Sequence, residues 1–98
     1  MKLTGKAKEL FEEWYNQSDW IAYGKITDTV FHALPESMRW GVYQDWADSL
    51  GEELYISKDG RGWFWALDYR YSDGYAESLP QARNAALASL NDLINQTV

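Results

Sequence analysis

A catalytic site needs a nucleophile, a proton carrier, a metal-ligand set or a phosphate cradle, and this chain offers few of these. Its only imidazole is His32, with Asp28 four residues earlier. That spacing would place both on one helix face, yet two ligands do not complete a metal site, and an ordinary, partly exposed histidine is the simpler reading. The chain has no cysteine, hence no thiolate zinc site and no disulfide framework. Ser18, Ser37, Ser49, Ser57, Ser72 and Ser78 all lie outside a Gly-x-Ser-x-Gly context. Gly60-Arg61-Gly62 is too short for a phosphate-binding loop and reads as a hairpin turn. A triad hydrolase, a P-loop enzyme and a dinucleotide enzyme are therefore unsupported. The sequence assigns no catalytic residue, no cofactor and no metal ligand, and the chain is read as a non-enzyme.

Two other groupings point to binding. Asp45, Asp48, Glu52 and Glu53 gather around the expected end of a helix. Paired carboxylates can do acid–base work or hold Mg²⁺ or Ca²⁺, but nothing here resembles a calcium loop. Acids at a helix C-terminus oppose the macrodipole, a small cost that points to a use such as a partner contact; a solvated surface is the plainer reading. The second grouping is aromatic: six Trp, seven Tyr and three Phe in 98 residues. Each Trp can bury roughly 150–250 Å², so a solid core is available at a length where cores are usually marginal. Within the aromatic set, Tyr55, Phe64 and Tyr75 are expected to face away from that core and to form an interface patch.

Nine Lys and Arg oppose fifteen Asp and Glu, a net charge of −6. The bases are scattered, apart from Lys2, Lys6 and Lys8, which Glu9, Glu12 and Glu13 follow at once. Direct nucleic-acid binding, which needs clustered cations, is disfavoured, and a basic partner surface is the electrostatic complement. No apolar run approaches the roughly 20 residues of a membrane span, and the opening residues lack a signal-peptide stretch. The expectation is a single domain over residues 1–98, soluble and cytoplasmic.

Several elements would position these groups. Leu3, Ala7, Leu10, Phe11 and Trp14 draw one apolar stripe, predicting a helix capped by Thr4 and running to Asn16. Residues 17–25 read as a loop or a short turn, and Ile26, Val30, Phe31 and Leu34 as a second helix. Pro35 opens a third helix to Leu50, with Met38, Val42, Tyr43, Trp46 and Leu50 as its stripe and Gly51 as its left-handed cap. Gly41 inside that helix marks a close approach by another helix or a Trp ring. Glu53–Ser57 and Trp63–Tyr71 alternate as strands do. Ser72-Asp73-Gly74 is a turn, and Tyr75-Ala76-Glu77 is a candidate short third strand. Ser78 with Gln81 forms a capping box for a last helix striped by Ala82, Ala86, Leu90, Leu93 and Ile94.

The order implies an α+β fold: a small antiparallel sheet, two long strands and the short third, packed against three to four helices. Its final helix–strand–strand–strand–helix order resembles that of double-stranded RNA-binding domains, but only Arg83 is cationic at the start of the last helix, where such domains need a basic cluster. The stretch Leu34-Pro35-Glu36-Ser37-Met38-Arg39-Trp40-Gly41-Val42-Tyr43-Gln44-Asp45-Trp46, with Lys8-Glu9-Leu10-Phe11-Glu12-Glu13-Trp14-Tyr15 before it and Ser78-Leu79-Pro80-Gln81-Ala82-Arg83 after it, is similar to a group of small uncharacterised phage and prophage proteins. The resemblance implies an accessory protein made inside a bacterium and carries over no activity. The resulting expectation is a protein that binds a host or phage protein, with Asp45, Asp48, Glu52 and Glu53 supplying charge and Tyr55, Phe64 and Tyr75 the anchors. A homodimer joined through the open sheet is the alternative, and a small enzyme or metal binder using His32 the remote one.

Overall fold

The structure, a computed structural model, describes residues 2–23, 31–68 and 72–96. Its elements are helix α1 (Gly5–Gln17), a 3₁₀ turn (Asp19–Tyr23), helix α2 (Glu36–Ser49), strands β1 (Leu54–Asp59), β2 (Gly62–Leu67) and β3 (Ser72–Ala76), and helix α3 (Leu79–Gln96). The strands form an antiparallel meander in the order β1-β2-β3. Its register sets Leu54 opposite Leu67 and Ser72, and Ile56 opposite Trp65 and Gly74. Opposed residues share a face, so these six point one way, toward α3. Ala82, Ala86 and Leu90 of α3 are fully buried, and Ser72 Oγ donates to Ser89 Oγ of α3 at 2.8 Å. Gly74 leaves room for the Trp65 indole, whose atoms lie 3.0–3.1 Å from where a Cβ would stand.

The aromatic residues make the centre of the core. Phe11 of α1 lies 5.1 Å from Tyr43, 5.2 Å from Trp46 and 5.4 Å from Phe31, ring centre to ring centre. These are the tilted and edge-on arrangements that the ring quadrupole favours. Trp46 is fully buried, and Tyr15 is buried so deeply that its phenol is pushed above its ordinary range.

α1 begins at Thr4, as the sequence predicts, but Thr4 makes no side-chain cap of its own. The cap comes from α3, at the other end of the chain. Thr4 N–H donates to Asn91 Oδ1 at 2.8 Å, and Ala7 N–H donates to Asn95 Oδ1 at 3.0 Å. In return Asn91 Nδ2 donates to Thr4 Oγ1 at 3.2 Å, and Asn95 Nδ2 to the Thr4 carbonyl at 3.0 Å. Two side chains thus satisfy backbone donors that the first turn of any helix leaves open. Asn91 is the one buried polar residue among those described, and four groups of Asn91 and Asn95 are in use.

Several expectations are corrected. Residues 17–25, which admit a loop or a short turn, hold the 3₁₀ turn, which Ser18 caps through Trp20 N–H at 3.2 Å. Most of the second predicted helix lies outside the described residues; Phe31 at its end is buried. α2 buries Trp40 and Ala47 beside Val42, Tyr43 and Trp46, while Leu50 is 39% exposed. Gly41 has no atom within 4 Å of its Cβ position, so no close approach explains it. β2 stops at Leu67 because Asp68 adopts φ +52°, and residues 69–71 lie outside the description. β3 takes in Ser72, Asp73 and Gly74, expected as a turn; the sheet has two strands of six residues and a third of five. Gly51 does end α2 at φ +75°, and Ser78 Oγ accepts from Gln81 N–H at 3.4 Å at the start of α3.

The asparagine clamp is testable. Asn91→Ala leaves Thr4 N–H without its partner and is expected to cost about 1–2 kcal/mol, read as a lower urea midpoint at unchanged slope. Asn95→Ala should speed hydrogen exchange at the Ala7 amide ahead of the core amides. Wild-type stability and exchange in both variants would remove the clamp from the account.

Candidate functional site

The face of the sheet turned away from α3 carries the complementary alternation. Tyr55 stands opposite Ala66 and Asp73, and Ser57 opposite Phe64 and Tyr75. Tyr55 therefore meets Phe64 across a diagonal, with ring centres 6.0 Å apart, and Phe64 meets Tyr75 directly at 5.4 Å. Three rings run obliquely over three strands. Ala66 between them is fully buried, Tyr55 and Phe64 are half-buried, and Tyr75 is 43% exposed, among the most exposed large apolar side chains described.

The hairpin end of this diagonal is held by polar contacts. Tyr75 Oη donates to Asp59 Oδ2 at 2.9 Å, and the Arg61 amide donates to Asp59 Oδ1 at 2.8 Å. The Arg61 guanidinium lies over the Tyr75 ring at 5.7 Å, within cation–π range. The Arg61 amide, then the Tyr75 hydroxyl, hold the Asp59 carboxyl below the usual carboxylate range. The bond to Asp59 correspondingly pushes the Tyr75 phenol above its own. On the helix side of the same hairpin, the Lys58 ammonium lies 5.5 Å from the Trp63 ring centre.

The other end adjoins the acids. Asp45 and Asp48 of α2 converge with Glu52, Glu53 and Asp68 around an open concavity of about 580 Å³. Glu53 leads directly into β1, so this hollow borders the Tyr55 end of the diagonal. Asp45 Oδ2 accepts from Trp20 Nε1 at 2.9 Å, which fixes one carboxylate. Asp68 is the member that sequence reasoning placed inside a strand. Its turn conformation and the bond from its amide to the Glu53 carbonyl at 2.8 Å bring it here. The signal available was its residue type, since Asp is poor in strand interiors and tolerates positive φ.

The groups considered for chemistry are occupied structurally. His32 Nδ1 accepts from Arg39 Nη1 at 3.4 Å, and its ring meets Phe31 edge-on at 5.5 Å; Asp28 lies outside the described residues. Ser18 Oγ donates to the Tyr15 carbonyl at 2.7 Å, and Ser49 Oγ to the Trp46 carbonyl at 2.6 Å. Among the described residues no three His, Asp or Glu side chains are placed to hold a metal ion, and no helix is long and apolar enough to cross a membrane. Compared with known proteins, the chain matches no family model, no curated protein and no solved structure.

The Asp59–Tyr75 bond makes the hairpin end pH-dependent in two windows. Asp59 is depressed when folded, so its contribution is present above the unfolded value of about 3.9 and is lost as pH falls below that. Tyr75 is raised, so its contribution is complete below about pH 10 and is lost above it. In Tyr75→Phe, carboxyl NMR titration should show Asp59 moving upward but staying below the usual range, because the Arg61 amide remains. An unmoved titration would mean that the tyrosine hydroxyl does not reach Asp59.

Proposed function

We propose that this chain works by binding another protein through the aromatic diagonal Tyr55–Phe64–Tyr75, with the carboxylates of Asp45, Asp48, Glu52 and Glu53 as charge at one end. Asp68 joins that acidic end. The observation that carries this reading is the diagonal itself: three interlocked rings on the sheet face that no described helix covers, bordered by a concavity of one charge sign. Rigid aromatic side chains lose little conformational entropy on docking and commonly anchor interfaces. The clustered carboxylates would steer and orient a basic partner surface. In this reading the protein acts without catalysis, as an accessory protein of phage or prophage type inside a bacterium, and the partner is a host or phage protein.

A homodimer through the same face is the competing occupant. It would bring together two copies that each carry −6, which weakens that reading at low salt.

The test separates binding from folding. Tyr75→Ala removes the bond to Asp59 and the contact with Phe64 and is expected to lower the melting temperature, whereas the Asp48→Lys/Glu53→Lys pair alters exposed side chains and should leave it within about 2–4 °C, since such substitutions usually change stability by no more than ~0.5 kcal/mol. Each should weaken capture of the partner from bacterial lysate at least tenfold, the loss of one hot-spot contact, and capture by the wild type should fall with salt. Capture by both variants equal to wild type would overturn the assignment. A mass that doubles with concentration and is halved by Tyr75→Ala would give the face to a second copy.

A further inference from the structure

A second surface lies across the C-terminal end of α2 from the acidic hollow. Leu10, Trp14 and Gln17 of α1 line an open groove of about 250 Å³ together with Trp46, Ser49 and Leu50 of α2. The α1 residues recur at i, i+4 and i+7, so they form one helical face over two turns. Leu10 and Trp14 are half-buried against the core cluster, and Leu50 is 39% exposed. A single exposed leucine needs no explanation, but large apolar side chains gathered around one groove mark an interaction surface. The groove and the hollow are joined by the chain itself. Asp48 lines the hollow, Ser49 and Leu50 line the groove, and Gly51 and Glu52 line the hollow again. The end of α2 is therefore a ridge with carboxylates on one flank and apolar side chains on the other.

Charge selects what covers this ridge. Trp14 and Gln17 belong to the last turn of α1, and Trp46 and Ser49 to the last turn of α2, so both helices bring the negative ends of their dipoles to the groove. Neither helix has a basic residue in its last turn. Glu13 is the one charged residue lining the groove among those described, and Asp48 and Glu53 stand exposed across the ridge. Lys6, one turn before Leu10, is drawn to Glu9 at 3.8 Å. The complement is a cationic partner with large apolar side chains. Shape narrows it further: two helices offer no open ladder to a strand, whereas a third helix can seat its side chains between theirs. A second copy of this chain would bring the same acids and a further charge of −6. We infer that the groove receives a basic amphipathic helix of another protein. Its apolar side chains pack on Leu10, Trp14 and Leu50, and its Lys or Arg side chains reach over the ridge to Asp48 and Glu53. This rests on the reading of those acids as partner contacts, and adds to the aromatic diagonal a separate place of contact.

The probe is a synthetic Leu/Lys peptide of about four helical turns, with its leucines spaced to share one face. A control peptide has the same composition, with the leucines scattered around the helix, so that general attraction to the acids is equal in both. Titration is followed by NMR on the whole chain. The one-faced peptide should shift the Trp14 indole and the Leu50 amide, and should bind at least tenfold more tightly than the control. Leu50→Ser should weaken it at least tenfold, the loss of one hot-spot contact. Glu13→Lys, at an exposed position, should weaken it as well and decides alone if Leu50→Ser does not fold. Tyr75→Ala should leave peptide binding unchanged. Equal binding of the two peptides would reduce the effect to attraction by the acids and overturn the inference. Shifts confined to Tyr55, Phe64 and Tyr75 would overturn it while leaving the diagonal in place. A peptide seated in the groove of a Tyr75→Ala variant that still captures its partner at the wild-type level would support the groove and remove the diagonal. A mass that doubles with concentration and reverts in Leu50→Ser would give the groove to a second copy, which also overturns the inference.

Discussion

α3 packs on the sheet through a buried stripe in which the small Ala82 and Ala86 stand beside Leu87 and Leu90. Ala82 and Ala86 are fully buried, and their small side chains let the helix backbone approach the strands. Trp65 can fill the space between them because Gly74 gives way beneath its indole. The rest of the architecture is seated on this contact. α1 docks on α3 through Asn91 and Asn95, which cap its first turn from outside. Once α1 is seated, Phe11 reaches the ring cluster of Phe31, Tyr43 and Trp46. A bulkier residue at Ala86 would therefore disturb the sheet contact first, and through it the position of α1.

The same constraint explains the candidate site. A three-stranded sheet has two faces, and the described helices cover one. Strict alternation along β1 and β2 then decides which aromatic residues enter the core and which do not. Trp65 points toward α3, and its neighbour Phe64 must point away. Tyr55, Phe64 and Tyr75 shield one another across the diagonal, and Ala66 beneath them is sealed from solvent. Part of this cluster is thus a small second core. Tyr75, the most exposed of the three, is where covering a sheet passes over into presenting a surface.

Alternation and helical spacing made much of this legible in the sequence. The inward set Trp65 and Leu67, the outward set Tyr55, Phe64 and Tyr75, and the α3 stripe of Ala82, Ala86, Leu90 and Ile94 all follow from periods of 2 and 3.6 residues. The acids were visible as a group because they are near one another in the chain. What escaped depends on contacts between distant residues or on single backbone choices. Asn91 sits among apolar stripe positions of α3, and nothing local says that its amide reaches Thr4. Asp68 reads as strand by its neighbours, yet its positive φ ends β2 and moves its carboxylate to the acidic hollow. Ser72-Asp73-Gly74 has turn chemistry but is drafted into β3 by pairing with β2, where Gly74 is needed for the Trp65 ring. In each case a tertiary requirement overrides a local preference.

The distribution of charge follows one rule in two settings. On the surface, like charges are tolerated because water and salt screen them, and four of the clustered acids crowd the end of α2 even though its dipole disfavours them there. In the α2–α3 interface screening is weak, and every charge needs a partner at contact distance. Glu36 meets that need for Arg83, and the indole face of Trp40 adds to it. His32 meets it for one nitrogen of Arg39 only while its Nδ1 is unprotonated, since an imidazolium offers no acceptor. Neighbouring Phe31 fixes the imidazole edge-on within the core cluster. The single histidine of the chain thus serves as an acceptor for a partly buried arginine.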